Sequence, residues 1–303
     1  MLNTGRVRDH WHTMTRTGKS QRLSAHRAVP FVEVHPDDAA AHGLAEGDIA
    51  RLTTAHGAAE LEVTVTDTVV PGSLFMPMHW GGAFASRARV GALVRGMTDP
   101  VSGQPELKAT PAAVESVGYR ARGFLLTRRQ VALPEGWWWA RAAITGGWGA
   151  QFATADSSRA VALMVRGLMQ SEALPGGELA EYADHARDRY RCAVYDGDRL
   201  VACLAYAPAA ERPDWEAAKV LFAAEAPDAA ERRALLSGRA ATASAGPVVC
   251  ACHGVGADII AATIAGGAGS AEAVGAACKA GTNCGSCIPE IRKMLAGQTA
   301  CAA

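Results

Sequence analysis

The pattern that most constrains this chain lies near its end: Cys250-x-Cys252, then 31 residues, then Cys284-x-x-Cys287. Six of the eight cysteines fall after residue 249. Two close pairs at this separation bring four thiolates to one centre only if the chain between them folds back. Each pair sits in a glycine-bearing loop that leads into a helix, Asp258 to Ile264 after the first and Pro289 to Leu295 after the second. Pro289 suits the first turn of such a helix. Helix N-termini offer unpaired N–H groups and partial positive charge, which stabilise an anionic four-thiolate cluster as they would a phosphate. Three readings fit: free or disulfide-bonded thiols, a structural zinc, or a [2Fe–2S] centre. Zinc halves usually space their cysteines two to four residues apart, and a C-x-C half is tight for that. The spacing points to [2Fe–2S]. Cys278 falls outside the pattern and reads as a small buried residue, Cys301 as an exposed one in the tail, and Cys192 and Cys203 as core positions on strands.

The rest of the composition sets bounds. At 303 residues, 49% hydrophobic and 20% charged, the chain has material for a packed core and about two domain lengths of roughly 150 residues. Lys plus Arg equals Asp plus Glu at 30 each, so no global field recruits nucleic acid or an anionic membrane. No apolar run reaches the ~18 residues of a membrane span, and the first residues lack the hydrophobic region of a signal peptide. Reduced thiols in this number suit the cytoplasm.

The expected class is α+β in three parts. Residues 1 to about 28 are polar and basic, with Arg6, Arg8, Arg16, Lys19, Arg22 and Arg27 against the single acid Asp9. Short strands follow at Phe31–Val34, Ile49–Thr54, Leu61–Thr66 and Ser73–Met78, with a helix opening at His35-Pro36-Asp37-Asp38 and ending near Gly43. This first part, 1–117, reads as a small β-barrel. The second, 118–245, reads as a small mixed α/β unit. It holds the block Trp137-Trp138-Trp139, a loop at Gly146-Gly147-Trp148-Gly149, and a hairpin through Asp196-Gly197. Helices follow at Trp215–Ala224 and Ala229–Leu236, then a small polar linker at Ala240–Gly246. The Trp block suits a core or an interdomain surface. The third part, 246–303, holds the cysteines.

Val249-Cys250-Ala251-Cys252-His253-Gly254-Val255-Gly256, with Ala280-Gly281-Thr282-Asn283-Cys284-Gly285-Ser286-Cys287-Ile288-Pro289-Glu290, resembles the bacterioferritin-associated-ferredoxin-type [2Fe–2S] domain. The resemblance implies a small all-helical module with Cys250, Cys252, Cys284 and Cys287 as metal ligands. The opening run Asn3-Thr4-Gly5-Arg6-Val7-Arg8-Asp9-His10-Trp11-His12-Thr13-Met14-Thr15-Arg16-Thr17-Gly18 is dense in donors, and arginines and hydroxyls suit phosphate oxygens. Taken alone it also reads as a solvated basic loop. It resembles the cofactor loop of molybdopterin-guanine-dinucleotide enzymes of the dimethyl-sulfoxide-reductase family, closest to the nitrate reductase branch. His79-Trp80-Gly81 and Thr98-Asp99-Pro100-Val101-Ser102-Gly103-Gln104-Pro105-Glu106-Leu107-Lys108 resemble further stretches of the same domain, a double-psi β-barrel. Carried over, Thr4, Gly5, Arg6, His10, Trp11, His12 and Thr13 would line the pterin-dinucleotide site. Met14, Thr15 and Arg16 would extend it, Trp80 would lie near a substrate funnel, and Lys108 would contact the cofactor. An asparagine that nitrate reductases often carry just before the Leu93 position is replaced near Gly91. Tyr182 to Gly238 resembles the C-terminal domain of flavin-dependent rubredoxin- and nitrite-reductase-type enzymes, without their nucleotide sites.

In this order the parts resemble the C-terminal portion of a bacterial assimilatory nitrate reductase catalytic subunit. The resemblance implies molybdenum-dependent reduction of nitrate to nitrite in nitrate assimilation. Electrons would reach the terminal [2Fe–2S] centre from a donor protein or reductase subunit: a ferredoxin, a flavodoxin or an NADH-dependent partner. The domains that ligate molybdenum in that family are absent from this sequence, so the chain reads as a fragment expected to be inactive alone. The competing readings are a stand-alone [2Fe–2S] electron-transfer or interaction protein, and a fragment of a formate dehydrogenase of the same superfamily.

Overall fold

The computed structural model describes residues 1–170, 177–224, 226–238 and 245–301, with side chains as far as 297. Two six-stranded sheets and a small helical unit are laid out in chain order.

The first sheet is mixed. Its strands are β1 (Leu2–Gly5), β2 (Phe31–Val34), β3 (Ile49–Thr54), β4 (Gly57–Val65), β5 (Leu74–Pro77) and β6 (Ala113–Ser116), in the order β1-β5-β2-β4-β3-β6. β1 runs parallel to β5, and β2 parallel to β4. The β3–β4 hairpin closes with Thr54 opposite Gly57, so β4 starts four residues before the expected Leu61. The two edges meet where Leu2 exchanges backbone hydrogen bonds with Thr110, at 2.8 and 3.2 Å, just ahead of β6. The sheet therefore curls back toward its own first strand around Leu52, Leu61, Val63 and Met76. Two short helices fall within this part of the chain, α1 (Gln21–Ser24) and α2 (Pro36–Ala41). α2 forms where Pro36 fixes the first turn, the His35 ring accepts from the Asp37 N–H, and Asp37 and Asp38 face the positive end of the dipole.

The second sheet is antiparallel throughout: β7 (Ala121–Thr127), β8 (Trp138–Ile144), β9 (Gly147–Thr154), β10 (Glu178–Asp184), β11 (Arg189–Asp196) and β12 (Arg199–Pro208), ordered β10-β11-β12-β7-β9-β8. Helices α3 (Ser158–Met169), α4 (Trp215–Ala223) and α5 (Ala229–Ser237) pack on it. The Asp-Gly hairpin forms as expected, with Asp196 opposite Arg199. The expected loop at Gly146-Gly147-Trp148-Gly149 is corrected: only Gly146 is in the turn, and β9 begins at Gly147. These glycines serve close approach. A Cβ on Gly147 would lie 2.2 Å from the Thr127 carbonyl, and one on Gly149 2.3 Å from the Trp215 ring.

The Trp block divides between two cores. Trp137 stacks on Phe152 at 4.4 Å within the second sheet and donates to Asp156. Trp138, with Ala140 and Ala153, is buried in the core of the first sheet and donates its indole N–H to the Glu60 carbonyl at 3.0 Å. The two sheets are thus joined by a shared apolar contact.

The last unit comprises β13 (Val248–Cys250), β14 (Val255–Gly256), α6 (Ala257–Ala265), α7 (Ala271–Cys278) and α8 (Ile288–Cys301). It is helical apart from the β13–β14 ladder, which the all-helical expectation omitted. Val249, Val255, Ile260, Val274 and Ile291 form its core. Residues 240–244 of the expected linker lie outside the described residues, as does the side chain of Cys301. Among the described residues no helix is long and apolar enough to cross a membrane.

Candidate cofactor sites

The four motif cysteines converge. Cys250 ends β13, Cys252 follows in a turn, and Cys284 and Cys287 flank Gly285, whose φ of +74° bends the loop into α8. The Cys252 and Cys284 sulfurs lie 3.2 Å apart, and the Cys250 and Cys287 thiols are hydrogen-bonding neighbours. All seven described cysteines are free. Burial and the adjacent Cys250 push the Cys287 thiol up to about 11, against the pull of the nearby Arg8 cation. Cys284 is lowered by the Ser286 hydroxyl and N–H, while Cys252 is raised by its bond to Cys284. Among the described residues, no three His, Cys, Asp or Glu side chains converge on a point that one metal ion would occupy. A single zinc needs all its sulfurs about 2.3 Å from one centre. Two neighbouring thiol pairs suit a cluster of two irons instead. Cys278 stands apart and donates to the Val274 carbonyl of its own helix, while Cys192 and Cys203 are buried in the second sheet.

The basic loop emerges from β1 and is clamped from beneath by His79, directly after β5. The Val7 N–H donates to His79 Nε2 at 2.9 Å, and His79 Nδ1–H donates to the His12 carbonyl at 2.6 Å. Those two bonds require the neutral tautomer, and burial lowers the pKa of His79 accordingly. His12 and Met14 hold φ of +45° and +60°, a left-handed backbone that non-glycine residues adopt at a cost. His10 is buried, packed edge-on against Trp80 at 5.5 Å, and lowered to about 4 chiefly by burial. The Thr4 hydroxyl donates to the Leu107 carbonyl at 2.6 Å, tying the segment that carries Lys108 to β1.

The resulting surface gathers Arg6, Trp11, His12, Thr13, Thr15 and Arg16 as exposed groups around this clamp, and Lys108 is exposed next to its β1 contact. Arg6 lies 4.5 Å over the Trp11 ring. Cations and hydroxyls on a constrained backbone fit the phosphates of a dinucleotide. Thr4, Gly5 and His10 shape this surface from within. Met14 and Trp80, expected to extend the site and to lie near a substrate funnel, are each 2% exposed and packed in the first core. His79 went unselected from the sequence, although the quoted His79-Trp80-Gly81 run contained it. Arg8, His26 and Glu290 were missed as a group, since their partners lie far apart in the chain. Nearest-neighbour patterning carries no signal for them.

Residues 1–111 match the family model described as a molydopterin dinucleotide binding domain, and residues 248–297 match that of a BFD-like [2Fe-2S] binding domain. The chain carries both domains. Together they support both cofactors, a molybdopterin dinucleotide and a [2Fe–2S] cluster. A nitrate reductase of Klebsiella oxytoca is 39% identical over 99% of this chain and 34% of its own length. A periplasmic nitrate reductase of Desulfovibrio desulfuricans is 39% identical over 37% of this chain and 14% of its own. A formate dehydrogenase subunit alpha of Methanocaldococcus jannaschii is 29% identical over 39% of this chain and 17% of its own. The chain therefore spans about a third of the Klebsiella relative.

Proposed function

We propose that this chain is the dinucleotide-holding and electron-accepting C-terminal portion of a molybdenum-dependent, assimilatory nitrate reductase of the cytoplasm. The observation that carries this reading is the alignment with the Klebsiella nitrate reductase, which runs through the basic loop, the middle sheet and the cysteine unit alike. The formate dehydrogenase match covers 39% of the chain, so it accounts for less of it. When bound, molybdenum in its dinucleotide supplies the two-electron, two-proton reduction of nitrate to nitrite and water. This chain's own residues do the holding. Arg6, His12, Thr13, Thr15, Arg16 and Lys108 grip the dinucleotide on a loop fixed by His79, Thr4, Gly5 and His10, while Cys250, Cys252, Cys284 and Cys287 hold the cluster.

The proposed units are a double-psi barrel at 1–117, a spacer at 118–245 and the cluster domain at 246–303. Held by those four cysteines, a [2Fe–2S] cluster would supply one-electron acceptance, with a ferredoxin, flavodoxin or NADH-dependent partner as the donor.

An anaerobic visible and electron-paramagnetic-resonance spectrum, with iron, zinc and molybdenum counted per chain, tests this reading. Two irons and a reducible rhombic signal, abolished in Cys284→Ser, are expected. Zinc without visible absorbance would remove the electron-accepting role. Nitrate reduction by this 303-residue chain alone, with reduced viologen as donor, would refute the claim that it works only as part of a larger enzyme.

A further inference from the structure

Arg8 sits between Arg6 and His10 on the basic loop, yet its side chain belongs to the cysteine unit. Nη2 donates to the Val249 carbonyl at 2.6 Å, and Nη1 donates to the Ser286 carbonyl at 3.2 Å. Those carbonyls immediately precede Cys250 and Cys287, so one guanidinium spans both halves of the ligand set. Nη1 also pairs with Glu290 in the first turn of α8 at 3.0 Å, and Nε pairs with Asp9 at 3.3 Å. His26 completes the junction, 2.6 Å from Asp9 and 3.3 Å from the same Glu290 oxygen. The planar fork of arginine can hold two carbonyls and a carboxylate in one geometry, which a lysine cannot. On the other side, the Val7 N–H is held by His79. The few residues between the dinucleotide loop and the cysteine loops are therefore clamped from two directions.

We infer that Arg8 is a positioning residue that seats the [2Fe–2S] unit on the dinucleotide loop and makes its cluster easier to reduce. This rests on the [2Fe–2S] reading of the four cysteines. In the step concerned, an iron–sulfur or flavin donor loses one electron and the cluster gains it, with no bond made or broken. The gained negative charge is stabilised by a fixed cation facing both ligand loops and opposed by Glu290. Removing either charge in this half-buried setting changes the reduction equilibrium on the order of tenfold, about 59 mV for a one-electron couple.

The test is an anaerobic redox titration of the full chain, followed by electron paramagnetic resonance, with hydrogen exchange of residues 249–254 and 282–287. Arg8→Gln is expected to keep two irons per chain, to lower the midpoint by about that amount, and to lose exchange protection in both loops. Glu290→Gln should move the midpoint the opposite way. Arg8→Lys should restore most of the midpoint but not the protection. A midpoint and protection unchanged in Arg8→Gln would overturn the inference, as would shifts of the same sign in Arg8→Gln and Glu290→Gln. Should Arg8→Gln fail to assemble, the sign of the Glu290→Gln shift and the protection in Arg8→Lys decide the matter. A wild-type chain that takes up no iron defeats the cluster reading itself, a result distinct from any arginine effect.

Discussion

Replacing Trp138 with alanine would test whether the two sheets stabilise one another. The indole is 2% exposed, packs in the first sheet's core although it belongs to β8, and donates to the Glu60 carbonyl at 3.0 Å. Truncating a buried Trp costs about 3–5 kcal/mol in lost transfer energy and cavity formation. Loss of the indole donor adds about 1 kcal/mol. Trp138 also borders a cavity of about 190 Å³ with Glu62, Arg122 and Arg212. The expected total is about 4–6 kcal/mol. At roughly 2–4 °C per kcal/mol for a unit of this size, melting falls by more than 8 °C. Trp138→Phe keeps most of the apolar area and loses the hydrogen bond, for about 1–2 kcal/mol. Far-UV circular dichroism in urea, paired with limited proteolysis, reads both the size of the loss and where it falls. The alanine variant should expose cleavage sites in both sheets, whereas Trp137→Ala, confined to the second core, should expose the second. A loss below ~1.5 kcal/mol in Trp138→Ala, or cleavage confined to one sheet, would refute the coupling.

Two further outcomes follow from the same structure. Glu60 is nearly buried and bonded to Arg51, Arg87 and Tyr119; burial alone would raise its carboxyl, but these three donors draw it below the usual 4.5. Its stabilisation is therefore full above about pH 4.5 and lost as pH falls through the lowered value. Glu60→Gln should cost about 1.5–3 kcal/mol at neutral pH, since Arg51 and Arg87 remain solvated, and flatten the acid limb of a melting-temperature profile; an unchanged acid limb would count against the assignment. Gly281 holds φ of +85° beside the cysteine loop, and an added Cβ would lie 3.2 Å from Ile288. Gly281→Ala should cost about 1–2 kcal/mol and lower iron per chain on anaerobic reconstitution. Gly269→Ala, facing open space, serves as the control, and equal iron in the two variants would argue that the loop geometry does not matter.

Much of the site was legible because its chemistry is written in close spacing. C-x-C and C-x-x-C each place two thiols within one loop, and the structure brings the two loops together. The Pro36 helix and the Asp-Gly hairpin were legible for the same reason, since each depends on backbone preferences a few residues long. The basic loop was legible as a run of donors, but not by orientation. Met14 and Trp80 looked like Thr13 and Trp11 in composition, and packing turned the first two inward. The glycines at 147 and 149 read as a loop because glycine usually marks one, yet here they admit Thr127 and Trp215 at close range.

By itself, then, the sequence determined the two cofactor chemistries, the α+β class and the order of the parts along the chain. Only the tertiary structure decided that Trp138 serves the neighbouring core, that His79 holds the basic loop in one tautomer, and that Arg8 grips carbonyls 241 and 278 residues away. Local patterns encode what a segment prefers when it is alone. Which distant carbonyl completes an arginine's fork depends on how the sheets and helices between them pack, and no periodicity carries that information.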